Sequence, residues 1–406
     1  MAETYDVGGV RLERPFQVQR LGHFGFFVAD QAKALRFYGD LLGLPVTDTV
    51  DFGAQFKVTS PTGQDPNGYF LRVGADHHSV VLFPQWAFAA APGAPPKADG
   101  TAWISHMAWQ VGTLREVTEG RRWLTERQVR IARPGGRDAR GANWNFTVTD
   151  ADAISNEIYY GMDQIGWDGV SKPVPICPRG DPLPAIDEAA APDFPMALKA
   201  IEGGLDLRGG LHQRPFGEPR YDVGGVLLPR PFRVVRNGPI RLFVHDLAAA
   251  ERFYVETMGL TRTEEIRWQG HHCVFLRANT EHHTIALYPL ALRAELGLRA
   301  DSLCMAYGMQ VGSYRQLKDA IAFLETNGVT IKYLPPELSP GIDYSAYALD
   351  PEGHAVQLYY YMEQIGWDGR PRPAEARRKV DNAHWPDALD ALSDTYRGPV
   401  FQGPLG

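Results

Sequence analysis

Long apolar runs, paired cysteines and blocks of basic charge are all missing from this chain of 406 residues, and each absence removes a class of protein. No apolar stretch approaches the roughly 18 residues that span a bilayer, and the first residues, Met1 to Asp6, are not a basic region followed by an apolar one. Neither a membrane span nor a secretory leader is expected. Cys177, Cys273 and Cys304 form neither an even framework nor a C-x-x-C pair, which argues against disulfides and structural zinc and places the chain in the cytoplasm. The net charge of -7, with no Lys/Arg cluster, disfavours nucleic acid and anionic membranes as partners and leaves small molecules or further copies of the chain. What is present is the balance of a soluble globular protein, 44% hydrophobic and 22% charged, in a length that calls for more than one domain.

The chain repeats itself. Tyr5-Asp6-Val7-Gly8-Gly9-Val10 returns as Tyr221-Asp222-Val223-Gly224-Gly225-Val226, and Arg14-Pro15-Phe16 as Arg230-Pro231-Phe232. Asp76-His77-His78-Ser79 matches Glu281-His282-His283-Thr284, and the segments from Gln164 and Gln364 both read Gln-Ile-Gly-Trp-Asp-Gly. A tandem duplication follows.

Each half divides again into a strand, a helix and further strands. Phe24, Phe26 and Val28 alternate with His23, Gly25 and Phe27, the period of a two-faced strand. Asp30 is placed to cap a helix whose Leu35, Tyr38 and Leu42 share one face, with Gly43 as its left-handed stop. A second strand through His106 leads to a helix carrying Leu114, Val117 and Leu124, then to strands ending at Glu157. The second half repeats this order, with helices around Glu251 to Met258 and Leu317 to Leu324. Pro, Ala and Gly crowd the connection near Val170 to Arg220, which keeps one short helix near Phe194 to Ile201.

Against this symmetry, the first half has His23, His106 and Glu157 where the second has Pro239, Ala306 and Gln357. Two imidazoles and a carboxylate are a facial ligand set that leaves adjacent positions of a divalent metal open. Joint presence in one half and joint loss in the other points to a single metal site. Gly25 and Ala108, beside the histidines, leave room for a substrate.

The four-module βαβββ order, with Leu21-Gly22-His23-Phe24, Ile104-Ser105-His106-Met107 and Asn156-Glu157-Ile158-Tyr159-Tyr160, resembles the vicinal oxygen chelate superfamily, and within it the type I extradiol dioxygenases. The resemblance implies an α+β chain whose modules form two glyoxalase/extradiol-dioxygenase-like open barrels. A metal-bearing domain would span residues 1–170 (modules 20–95 and 102–170), followed by a linker at 171–220. A metal-free domain would span 221–370 (modules 235–295 and 302–370), with a tail at 371–406. It also implies Fe(II), or Mn(II), held by His23, His106 and Glu157, with His78 handling protons beside it. A homo-oligomer acting on a small aromatic substrate and O2 is expected. Trp144, Phe146, Thr147, Tyr159 and Arg133 are the candidate substrate-binding residues. The family's signature before the Glu is altered, with Thr147 in place of a Tyr and Asp138 in place of a His, while the second half keeps Tyr347, Asp350, Pro351 and Gly353. The expected activity is opening of an aromatic ring that bears an ortho-diol or ortho-aminophenol. The alternatives are a metal-dependent isomerase, epimerase or lyase of the same superfamily, and a non-catalytic binder.

Overall fold

The computed structural model describes residues 3–60, 62–92, 103–137, 141–166, 169–173, 176, 182–185, 193–206, 210 and 217–389. Two eight-stranded sheets carry the architecture, one from each half of the chain. The first runs in the order Val46–Asp51, Asn67–Leu71, Val80–Pro84, Arg20–Val28, Ile104–Gln110, Ser155–Met162, Ala142–Thr149, Ile131–Arg137. The second repeats it as Thr261–Trp268, His271–Arg277, Ile285–Pro289, Val234–Val244, Cys304–Val311, Ala355–Tyr359, Ser345–Leu349, Ile331–Lys332. Each sheet is two βαβββ-like modules joined edge to edge at its centre, where the first strands of the modules run antiparallel. Among the described residues the outer strands do not pair with each other, so each sheet is an open, barrel-like arrangement. Val28 and Val244 end equivalent central strands.

Local chemistry sets the elements. Asp30 accepts the amide of Lys33, and Asp246 accepts that of Ala249, so both first-module helices begin on a side-chain cap. The expected regular helix through Leu35, Tyr38 and Leu42 is instead α-helical over Gln31–Leu35 and then widens to a π turn over Arg36–Leu41. The wider turn accommodates the burial of adjacent Phe37 and Tyr38. Leu247–Arg252 and Phe253–Thr257 repeat the turn, there burying Tyr254 fully and Phe253 in part. Gly43 and Gly259 then stop these segments at φ +83°, and each is covered by an arginine of the opposite half: a Cβ at either position would lie 2.0 Å from Arg230 or Arg14.

The two halves share one core. Phe24, Phe26 and Val28 of the first sheet and Ile240, Leu242 and Val244 of the second belong to a continuous apolar cluster, and Phe24 stacks on Tyr307 with ring centroids 5.5 Å apart. Two reciprocal buried hydrogen bonds tie the halves: Tyr38 Oη donates to Asp350 at 2.9 Å and Tyr254 Oη to Asp150 at 2.6 Å. The short helix expected between the halves spans Asp193–Glu202. Downstream of the second sheet, Trp385 packs among Tyr314, Tyr333 and Tyr344, and Arg377 makes a two-armed contact with Glu264. Among the described residues no helix is long and apolar enough to cross a membrane.

Candidate metal centre

Register brings the three candidate ligands together. His23 lies opposite Ala108 and Gly25 opposite His106 on the antiparallel side of Ile104–Gln110. On its parallel side Glu157 lies opposite Ala108. Because side chains alternate across a strand, His23, His106 and Glu157 rise from one face with only Gly25 and Ala108 between them. The space is tight: a Cβ at Gly25 would sit 2.9 Å from Phe83 and 3.1 Å from the His106 ring.

His23 Nε2 lies 3.0 Å from His106 Nε2 and 3.7 Å from Glu157 Oε1, and one ligand atom of each residue falls within 4.8 Å of the others. Two nitrogens about 2.1 Å from one cation and at right angles would stand about 3.0 Å apart, so this spacing suits a divalent ion. His106 Nδ1 is 3.1 Å from Ser105 Oγ, which directs its other nitrogen inward when Nδ1 carries the proton. Burial first, then the imidazoles of His78 and His106, hold His23 well below the ordinary histidine pKa. Burial followed by His77 and His106 does the same to His78. Both rings are therefore neutral near pH 7, with nitrogen lone pairs free to coordinate or to take a proton.

Around this trio the structure sorts the other candidates. Glu157 turns Oε2 to Arg133 Nη2 at 2.8 Å, and Arg133 Nε donates to Thr147 Oγ1 at 3.1 Å. Arg133 is about half exposed, its side chain at 54%, so it bridges the buried carboxylate and the rim. Tyr159 is buried behind His23, with ring centroids 5.5 Å apart, and lies so close over Gly22 that a Cβ there would meet its hydroxyl at 1.9 Å. Burial raises the pKa of Tyr159 far above the usual phenol value. Trp144 and Phe146 are corrections: both belong to the main core, on the sheet face opposite Glu157, because Glu157 pairs with Thr147 and alternation turns 144 and 146 away. Asp138 lies outside the described residues.

His77 and His78 precede the strand Val80–Pro84, and both rings are buried. The His78 ring lies against His23 with centroids 4.2 Å apart. A further wall went unforeseen: Phe27, Phe70 and Phe83 form an apolar cluster on the ligand face, with Phe83 5.9 Å from His106 and Phe70 5.1 Å from His78 between ring centroids. The signal lay in the register, since Phe27 pairs with Phe83 along the His23 strand.

The equivalent position of the second half is filled by protein. Arg241, at the repeat position of Gly25, is fully buried. Its Nε donates to Gln357 Oε1 at 2.8 Å, Nη1 donates to Tyr288 Oη at 2.5 Å and to Leu338 O at 3.0 Å, and Nη2 donates to His283 Nε2 at 3.2 Å. A guanidinium thus occupies the centre between the residues matching Glu157 and His78.

The profile of the Glyoxalase/Bleomycin resistance protein/Dioxygenase superfamily matches residues 20–158 and again 236–358. The chain belongs to this superfamily. Among curated relatives, 2,2',3-trihydroxybiphenyl dioxygenase of Sphingomonas paucimobilis is 26% identical over 129 residues, 32% of this chain and 42% of that one. The match thus spans less than half the length of that relative. Two solved structures share the superfamily fold with TM-scores of 0.53. The Mn(II)-bound glyoxalase of Novosphingobium aromaticivorans is 17% identical, over 87% of this chain and 85% of its own. Homoprotocatechuate 2,3-dioxygenase of Arthrobacter globiformis is 18% identical, over 86% and 82%.

Proposed function

We propose that this superfamily member is an Fe(II)-dependent extradiol-type dioxygenase, opening an aromatic ring that bears an ortho-diol or ortho-aminophenol. The observation that carries the reading is the convergence of His23, His106 and Glu157 on one face of one sheet, against a wall of phenylalanines. The two imidazoles and the carboxylate would hold the ion, and the same N2O set accepts Mn(II). Bound Fe(II) supplies Lewis acidity toward a chelating hydroxyl and the electron transfer that lets O2 react.

The chain's own residues do the rest. Phe70 and Phe83 flank the centre and offer aromatic faces to a planar ring while excluding water. His78, neutral and against His23, takes a proton from a substrate hydroxyl and returns it later. Arg133 stands at the rim, held by Glu157 and the buried Thr147, and there it sets which ring substituents enter. Trp144 and Phe146 belong to the core on the opposite face of the sheet.

The test is anaerobic loading with Fe(II), Mn(II) or Zn(II), followed by oxygen-electrode measurements with a panel of ortho-diols and aminophenols. The expected result is O2 consumption that requires both substrate and a redox-active metal, with a new visible or near-ultraviolet absorbance from the opened ring. Thr147 in place of the family's Tyr, already engaged by Arg133, gives a metal-dependent isomerase or lyase as the second reading. Substrate turnover with Zn(II) and no O2 uptake would select it.

A further inference from the structure

Each half contains a row of one carboxylate and two histidines running toward its centre. In the second half the protons of this row can be assigned by elimination. Arg241 can only donate, so His283 Nε2, 3.2 Å from Arg241 Nη2, holds a lone pair. His283 is fully buried and kept neutral, chiefly by burial and then by Arg241 and His282. Its one proton is therefore on Nδ1, which lies 3.1 Å from His282 Nδ1. His282 must accept there, which leaves its proton on Nε2, 3.0 Å from Glu264 Oε2. Glu264 is ionised and its pKa lowered, with burial outweighed by hydrogen bonds from His282 and Arg377.

The first half has the same parts. His77 Nε2 is 3.7 Å from Asp48 Oδ2, and His77 Nδ1 is 3.0 Å from His78 Nδ1. The seats match as well: the amide of His77 donates to Asp163 O and that of His282 to Glu363 O, both at 2.9 Å. Gly141 at φ +85° and Gly341 at φ +78° press on the His77 and His282 rings so closely that a Cβ would lie 2.5 Å or 2.4 Å from Cγ.

We propose that Asp48 and His77 are positioning residues that hold His78 as its Nδ1–H tautomer, so that Nε2 presents a lone pair to the metal centre. The Asp48 carboxylate faces His77 Nε2 at 3.7 Å, an ion-pair rather than a hydrogen-bond distance, and favours the His77 proton at that nitrogen, so that His77 Nδ1 accepts the Nδ1 proton of His78. The tautomer stands on the geometry alone; its use, a base ready to take a substrate hydroxyl proton at Nε2, rests on the dioxygenase reading. Asp48→Asn offers an amide donor to His77 Nε2, which inverts the row and leaves His78 with its proton on Nε2. Asp48→Glu keeps the acceptor.

The experiment is long-range 15N–1H NMR on the full chain labelled at histidine nitrogens, metal-free and with Zn(II), each ring assigned by single His→Gln variants. His78 and His283 should report Nδ1–H, and His77 and His282 Nε2–H. Asp48→Asn should switch His78 to Nε2–H, and Asp48→Glu should restore the original state. An Nε2–H signal for His78 in the unmodified chain, or a His78 tautomer indifferent to Asp48→Asn, overturns the proposal. In the Fe(II)-loaded enzyme Asp48→Asn should lower kcat about 10-fold or more with unchanged KM and iron content. Should the NMR result hold while no ring substrate consumes O2, the dioxygenase reading fails and the tautomer assignment stands.

Discussion

The buried contact between Tyr254 and Asp150 makes the join between the halves sensitive to pH. Asp150 is almost fully buried, and that burial raises its pKa to about 6, despite hydrogen bonds from Tyr254 Oη and the amide of Ile154 that favour the ionised form. In the unfolded chain the value returns to about 3.8. Because the folded value is the higher one, this group's contribution is fully present below about pH 3.8 and is lost as the pH rises through about 6. The whole effect is about 3 kcal/mol, of which about 1.3 kcal/mol falls between pH 5 and pH 7. Asp150→Asn keeps an oxygen for the amides of Ile154 and Asp152 and can donate to Tyr254 Oη, while removing the titration. Urea unfolding followed by tryptophan fluorescence at pH 5, 6 and 7 should show the variant gaining on the unmodified chain by about 1 kcal/mol across that range. A constant difference between the two proteins, or one that moves the other way, would refute the burial argument.

Three further outcomes follow from the centre. Stringent dialysis should leave close to one divalent ion per chain, since Arg241 fills the second position, and His23→Ala or Glu157→Gln should lower that ratio toward zero by atomic absorption. Gly25→Ala should weaken metal affinity by about 10- to 100-fold in a competition titration without unfolding the chain, because its methyl displaces Phe83 and the His106 ring. Arg133→Met should change the preference among ring substituents more than kcat for the best neutral ring, measured as kcat/KM across the substrate panel, because Arg133 reaches the rim and Glu157 keeps its metal-facing oxygen.

Much of this was open to reading because strand periodicity and duplication constrain each other. His23, His106 and Glu157 share a face by alternation, and their joint replacement in the second half marks them as one unit. What escaped depended on registers between strands. Phe146 is adjacent to Thr147 in sequence but faces the opposite side of the sheet, and the phenylalanine wall depends on Phe27 of the His23 strand pairing with Phe83 of its neighbour. Arg241 stands at none of the three ligand positions that differ between the halves; the cation enters from the position of Gly25. The π turn at Arg36–Leu41 hides in a pattern that also fits a regular helix; only the burial of both Phe37 and Tyr38 reveals it.

The guanidinium at the heart of the second sheet has a consequence for assembly of the chain. A tethered cation cannot be chelated, exchanged or oxidised, and it arrives with the polypeptide. The interior of the second half is therefore complete without any metal, and through the shared core it supports the first half. Loss of a divalent ion held by His23, His106 and Glu157 would then silence that centre without dismantling the molecule, leaving a receptacle that could be reloaded.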